Sequence, residues 1–190
     1  QSWEQRISVF SSYFQNYIYL NPSAQFSPLP EGGQLFNYLQ HDALFTGIEY
    51  DMQWAISDKF TWGNTADYVF TYNINTTLPL PFSPPGRWRT QLSYKFEPET
   101  QRLEKIEPFI SYLFVLPQNR VDRNEAETPG YGLLNGGVRF HIPIKEGELQ
   151  GSINVQNALN TPYFNHISRY RWLNLPEQGR NIVVGLFWRW

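Results

Sequence analysis

No cysteine occurs in the 190 residues, which excludes a disulfide framework and any thiolate-ligated metal centre. Charge is sparse: Asp, Glu, Lys and Arg make up 17% of the chain, against roughly 25% in ordinary soluble domains. The net charge is −2 and no basic stripe is visible, so nucleic acid is not expected as a partner. Long apolar runs are missing as well. The best of them, "FISYLFVL" at residues 109–116, is far short of the ~18 residues that a membrane helix needs, and the mean hydropathy is −0.48. No membrane helix is expected. Enzyme signatures are lacking too: there is no G-x-S-x-G, H-E-x-x-H, phosphate loop or dinucleotide fingerprint, so the reading is of a non-enzyme without a cofactor. The chain begins at Gln1 and its single methionine is Met52, as expected of a processed or excised segment whose export signal has been removed.

Aromatics, by contrast, reach 17%, and they recur with period two rather than with helical spacing, which argues strands. In residues 87–97, Trp88, Leu92, Tyr94 and Phe96 share one face, while Arg87, Arg89, Gln91, Ser93, Lys95 and Glu97 share the other. Residues 46–56 set Ile48, Tyr50, Met52, Trp54 and Ile56 against Gly47, Glu49, Asp51, Gln53 and Ala55. The same alternation fills 149–156 and 181–190, and weaker versions cover 6–19, 60–73, 105–116 and 131–142. Residues 6–19 are the most ambiguous, with apolar side chains on both faces. The total is about eight strands in one domain spanning 1–190, without repeats or linkers. The prolines fall mostly between strands, where a missing N–H does no harm.

The connections alternate in length. Residues 57–59, 98–104 and 145–148 are short polar turns, whereas 21–37, 75–86, 117–130 and 158–180 are long and rich in Pro, Gly and Asn. Soluble up-and-down sheets have short hairpins at both ends; outer-membrane barrels have short periplasmic turns and long outer loops. The apolar face is banded in addition. Trp54, Phe60, Trp62, Phe96, Phe140, Trp188 and Trp190 lie by the short turns, and Tyr68, Phe70, Tyr72, Trp88, Tyr112 and Phe114 lie toward the long connections. Paired aromatic girdles around an aliphatic middle are what two membrane–water interfaces select. A soluble β-sandwich with an aromatic core is the competing reading.

The ending carries a resemblance. "VQNALNTPYFNHISRYRWLNLPEQGRNIVVGLFWRW" at 155–190 is similar to the end of TonB-dependent outer-membrane receptors, with Pro176, Gly179, Arg180 and Asn181 standing for a P-G-R-N element. "YLQHDALFTGIEYDMQW" (38–54) resembles the family's strand with Gly47 and Glu49, and "TPGYGLLNGGVRF" (128–140) its penultimate hairpin. The resemblance implies an all-β fold, an antiparallel transmembrane β-barrel segment supplying about eight strands of a barrel of about 22. It implies that 1–190 is the C-terminal portion of that barrel, with the plug domain and TonB box outside the chain. It further implies active uptake of a scarce nutrient, such as an iron–siderophore or related metal chelate, across the outer membrane of a Gram-negative bacterium. Implied partners are outer-membrane lipid and lipopolysaccharide, the plug and the remaining barrel, TonB and the barrel-insertion machinery. Gly185, Trp188 and Trp190 resemble the family's terminal assembly signal, in which Val183 replaces a usual polar residue. A self-contained eight-stranded barrel with a structural, adhesive or enzymatic role is the alternative. Its interior must be filled by side chains, and Gly47, Gly63, Ser93, Gly137, Ser152 and Gly185 on the polar face are too small for that.

Several residues are candidates for contact with a ligand. Glu49, Asp51, Asp67, Arg87, Arg89, Arg139, Arg180 and Arg189 are expected to line an aqueous interior, where mutual ion pairs are the plainest explanation for most of them. Tyr163, His166, Arg169, Tyr170 and Arg171 sit in the longest connection and are the expected ligand contacts, because function concentrates in loops. Arginines among aromatics suit an anionic metal chelate, and suit lipopolysaccharide equally. His41, His141 and His166 are too scattered for a metal site. His166 and Ser168 show no acid partner in the sequence, so no catalytic triad is read from them.

Overall fold

In the computed structural model, residues 2–29, 32–98, 105–145 and 147–190 are described. Eight strands form one antiparallel sheet in chain order: β1 (Trp3–Phe26), β2 (Gln34–Ala55), β3 (Phe60–Asn73), β4 (Arg87–Tyr94), β5 (Lys105–Val115), β6 (Tyr131–Ile144), β7 (Gly147–Gln156) and β8 (Asn181–Arg189). Each strand pairs with its sequence neighbours, and no register joins β1 to β8 among the described residues. The sheet is a single layer, which answers the sandwich reading. Among the described residues there is no second sheet for the apolar face to cover: Val9 is 72% exposed, Leu186 68% and Trp190 90%.

Register extends the period-two pattern across all eight strands. The rung Trp3–Trp54–Trp62–Leu92–Ile110–Gly136–Val155–Ile182 runs along one face. On that parity Ile7, Val9, Ile48, Met52, Ala66, Val138, Ile153 and Val184 form the aliphatic middle. The opposite face carries Arg6, Glu49, Asp51, Asp67, Arg87, Arg89, Glu107, Arg139 and Glu148. Among the described strand residues, Asp42 is the one charged side chain on the apolar parity. Its carboxylate accepts from Tyr13 Oη at 2.7 Å and from the backbone N of Asn16 at 2.9 Å. Asn16 has φ +55° and lies in the bulge between Phe14 and Tyr17, so Asp42 fastens the point where β1 changes face. The bulge accounts for the ambiguity of residues 6–19. Beyond it Tyr17 and Tyr19 turn to the polar face, while Phe10 lies on that face over Gly47, where a side chain would collide with its ring.

The largest departure from the sequence reading is the segment 21–37, expected to be a loop. Strand pairing continues through it, with Asn21 opposite Asn37 and Pro22 opposite Phe36, leaving only residues 27–33 as the connection. Turn-forming composition was overridden by cross-strand and lateral contacts. Asn21 Nδ2 donates to Asn37 Oδ1 (3.1 Å), and the Pro22 carbonyl accepts from Asn124 Nδ2 (3.2 Å). Gln34 Nε2 donates to both Ser23 O (2.7 Å) and Asn124 O (3.0 Å), which ties the hairpin tip to the 117–130 connection. Smaller corrections concern strand ends. β4 stops at Tyr94 rather than residue 97, with Phe96 held by an isolated bridge to Ile106. The turn expected at 98–104 lies mostly outside the described residues, as does Glu146 of the 145–148 turn.

Buried residues gather at the long-connection end. Leu80, Val115, Asn73, Pro22 and His166 are all almost fully enclosed, so the packed part of the molecule is the layer of connections above the sheet. Within the sheet, Gly137 is required by close approach: a Cβ there would come within 2.5 Å of the Ile153 carbonyl oxygen and 2.9 Å of Asn154 Oδ1. Gly137→Val is expected to force β6 and β7 apart, at a cost of about 1–3 kcal/mol or more. The temperature at which the folded band converts to the unfolded one on electrophoresis in detergent checks this, and it should fall.

Candidate functional site

The wall of charged residues is largely self-neutralised. Arg87 Nε donates to both Asp67 oxygens (3.2 and 3.0 Å). Arg139 reaches Glu107 at 2.6 Å, which Lys105 also meets at 2.7 Å, and His141 Nδ1 meets Glu148 at 2.5 Å. Arg89 has no acidic partner among the described residues, and Glu49 and Asp51 share a recess with Arg6 and Arg87. Arg180 lies just before β8, where its backbone N donates to Asn160 Oδ1 (2.9 Å) and its Nε to Ala158 O (2.8 Å), closing the base of the last connection.

The five candidates of the last connection separate into two groups. His166 and Arg171 are buried and meet Glu125 of the 117–130 connection. Arg171 makes an ion pair with Glu125 Oε1 and donates from Nη1 to Ala126 O at 3.0 Å. The backbone N of Phe82 donates to the same oxygen at 2.9 Å. His166 Nε2 lies 3.2 Å from it but is not aligned as a hydrogen bond. His166 Nδ1 engages Thr128 Oγ1 at 2.9 Å. Burial pushes the Glu125 carboxyl up, but His166, the Phe82 N–H and Arg171 outweigh it and hold the group below the usual carboxylate range. The cluster therefore joins three connections, 74–86, 117–130 and 157–180, at one carboxylate. Its hydroxyl–imidazole–carboxylate order imitates a triad, yet the imidazole is 0% exposed, so no substrate reaches it. Ser168 instead caps the short 3₁₀ turn Arg169–Leu173 by accepting from Tyr170 N (3.3 Å).

Arg169, Tyr170 and Tyr163 form the second, accessible group. Tyr163 packs its ring on Tyr131 with centroids 4.4 Å apart, and Tyr170 is 59% exposed. Arg169 opens the 3₁₀ turn and borders a cavity of about 400 Å³ with Tyr17, Tyr19, Phe45, Phe82 and Ile167. Tyr17 and Tyr19 stack nearly parallel, 6.5 Å apart, and Tyr19 Oη is fixed by His41 Nδ1 and Asn73 Nδ2, each at 2.8 Å. The sequence reading missed Glu125, Tyr17 and Tyr19. The tyrosines were hidden by the bulge, and Glu125 had no signal beyond standing in a charged connection. Among the described residues no cluster of His, Asp or Glu has metal-binding geometry.

The terminal residues occupy the positions their alternation required. Gly185 faces Ser152 on the polar side, and Trp188 lies opposite Leu149 on the apolar side. The Trp188 and Trp190 rings meet edge to face, 6.0 Å apart.

A solved structure, "Copper transporter OprC", is similar to this chain with a TM-score of 0.74 and 19% identity. The match covers 97% of this chain and 29% of that one, so the chain spans under a third of that protein's length. At that identity the likeness concerns the fold. A family profile described as "TonB dependent receptor-like, beta-barrel" matches residues 2–158, most of the chain and seven of its eight strands. A single sheet with one charged and one banded apolar face, and that profile along it, make this chain a member of the TonB-dependent receptor-like β-barrel family.

Proposed function

We propose that the chain is an arc of the barrel wall of an outer-membrane, TonB-dependent active transporter, catalysing no reaction. The observation that carries this is the division of the sheet: charge on one parity, aromatic bands around an aliphatic middle on the other. A closed sheet edge is mandatory in hydrocarbon. The lack of pairing between β1 and β8 therefore favours an arc completed by further strands over a self-contained eight-stranded barrel. The charged face then lines the lumen and meets the plug. The apolar face meets outer-membrane lipid and lipopolysaccharide, and TonB acts through a region outside this chain.

The cargo in this reading is a scarce metal in chelated form. Iron bound by a siderophore is the first choice, and the copper transporter among similar folds widens the metal to copper. Support comes from the cavity at Arg169, where a guanidinium borders stacked tyrosines and two phenylalanines. A planar aromatic anion is matched there by both charge and stacking. Arg169→Gln in the complete receptor is expected to raise the KM for uptake of a radiolabelled ferric catecholate by about tenfold, the loss of one charge-assisted contact. Folded receptor should stay at its normal level, since Arg169 is exposed. Unchanged KM would remove Arg169 from ligand contact.

A further inference from the structure

A second cleft, of about 390 Å³, lies on the polar face across β4, β5, β6 and β7 and is roofed by residues 178–179 of the last connection. That volume is within the range of small-molecule sites. Its polar lining includes Arg89, Gln91, Asn135, Asn154, Gln156 and Gln178 and no carboxylate. Elsewhere on the wall guanidinium groups stand near acids, as Arg6 does in the recess it shares with Glu49 and Asp51. Arg87 is neutralised by Asp67 and Arg139 by Glu107, while Arg89 between them is left as an unpaired cation among the described residues.

The amides are not equally engaged. Asn135 is spent on the backbone, accepting from Asn157 N at 2.9 Å and donating to Leu133 O. Gln91 and Asn154 use only their amide N–H groups, toward Ser93 and Ser152. Among the described residues, Gln156 and Gln178 make no side-chain hydrogen bond. Free carbonyls and free amide N–H groups therefore converge beside one guanidinium, with Phe109 and Tyr163 giving apolar surface. Amides both donate and accept, as sugar hydroxyls do. A cation would meet no acid here.

We propose that this cleft binds a hydroxyl-rich ligand carrying one carboxylate, a sugar acid, with the carboxylate on Arg89 and hydroxyls on Gln156, Gln178 and the free Gln91 and Asn154 carbonyls. The proposal rests on reading the polar face as the lumen wall, and not on the metal chelate. Cellobionate and cellobiitol, which differ by one carboxylate in place of a hydroxymethyl group, serve as probes for calorimetric titration of the complete detergent-solubilised receptor. Cellobionate is expected to bind at least about tenfold more tightly, the worth of one charge-assisted contact. Arg89→Gln should abolish that preference, and Gln156→Ala should weaken both sugars. Both positions are exposed, and heat-modifiability verifies that each variant is folded. If neither sugar binds, or if Arg89→Gln leaves the preference intact, the site is wrong. Uptake of the ferric catecholate by the same variants separates this failure from that of the transport reading, since that cargo is assigned to Arg169.

Discussion

Glu125→Ala is expected to free the three long connections from one another while leaving the sheet inserted. The substitution strands Arg171 and His166 in a buried site and orphans the Phe82 N–H, and breaking a buried charge pair in this way costs about 3–5 kcal/mol. Limited proteolysis of receptor on intact cells checks this, with new cleavage expected in 74–86, 117–130 and 157–180 and none in the strands. Acid should act in the same direction. Glu125 is held below the usual carboxylate range, so its stabilisation is complete above the unfolded carboxylate pKa and is lost as pH falls through the depressed folded value. Wild-type protease resistance of these connections should therefore persist through mildly acidic pH and fail only in strong acid. The Glu125→Ala variant should be sensitive throughout.

Replacing Trp188 and Trp190 together with Ser is expected to reduce the folded, heat-modifiable receptor in the outer membrane by about tenfold or more, since each large apolar side chain removed from contact with lipid forfeits on the order of 2–3 kcal/mol. Both side chains lie on the apolar face beside the short turns, where an aromatic anchors at the interface. The same pair is the part of the ending that resembles the family's assembly signal, so insertion and stability should fail together. Normal accumulation of folded receptor would make the terminal aromatics incidental.

Much of the sheet was legible in the sequence because one apolar and one polar face leave a period-two record. The alternation through Trp88–Tyr94 and Ile48–Trp54 survives unchanged in the register. Where the two faces cease to differ in solvent, the record fades. Asn21 and Pro22 pair as strand in the hairpin that docks on Asn124, and their composition still describes a turn. The bulge at Asn16 reverses the parity of Tyr17 and Tyr19, so an aromatic wall of the Arg169 cavity stood in a segment whose faces the alternation left ambiguous. His166 and Arg171 were legible as special residues of the last connection, but their partner Glu125 lies 41 and 46 residues upstream, at separations that no local pattern encodes. Gly137 was legible as small, though the reason is the Ile153 carbonyl of the neighbouring strand.

The membrane-spanning sheet with its long connections outside is tested most directly by single-cysteine labelling, for which a segment without native cysteine is well suited. Arg123→Cys lies in the 117–130 connection and Lys145→Cys in the β6–β7 turn, at opposite ends of the sheet. In a complete receptor with no other thiol, a membrane-impermeant maleimide applied to intact cells should label position 123 at once. Position 145 should react only after the outer membrane is permeabilised. Labelling of position 145 on intact cells with position 123 protected, or equal labelling of both, would contradict the account.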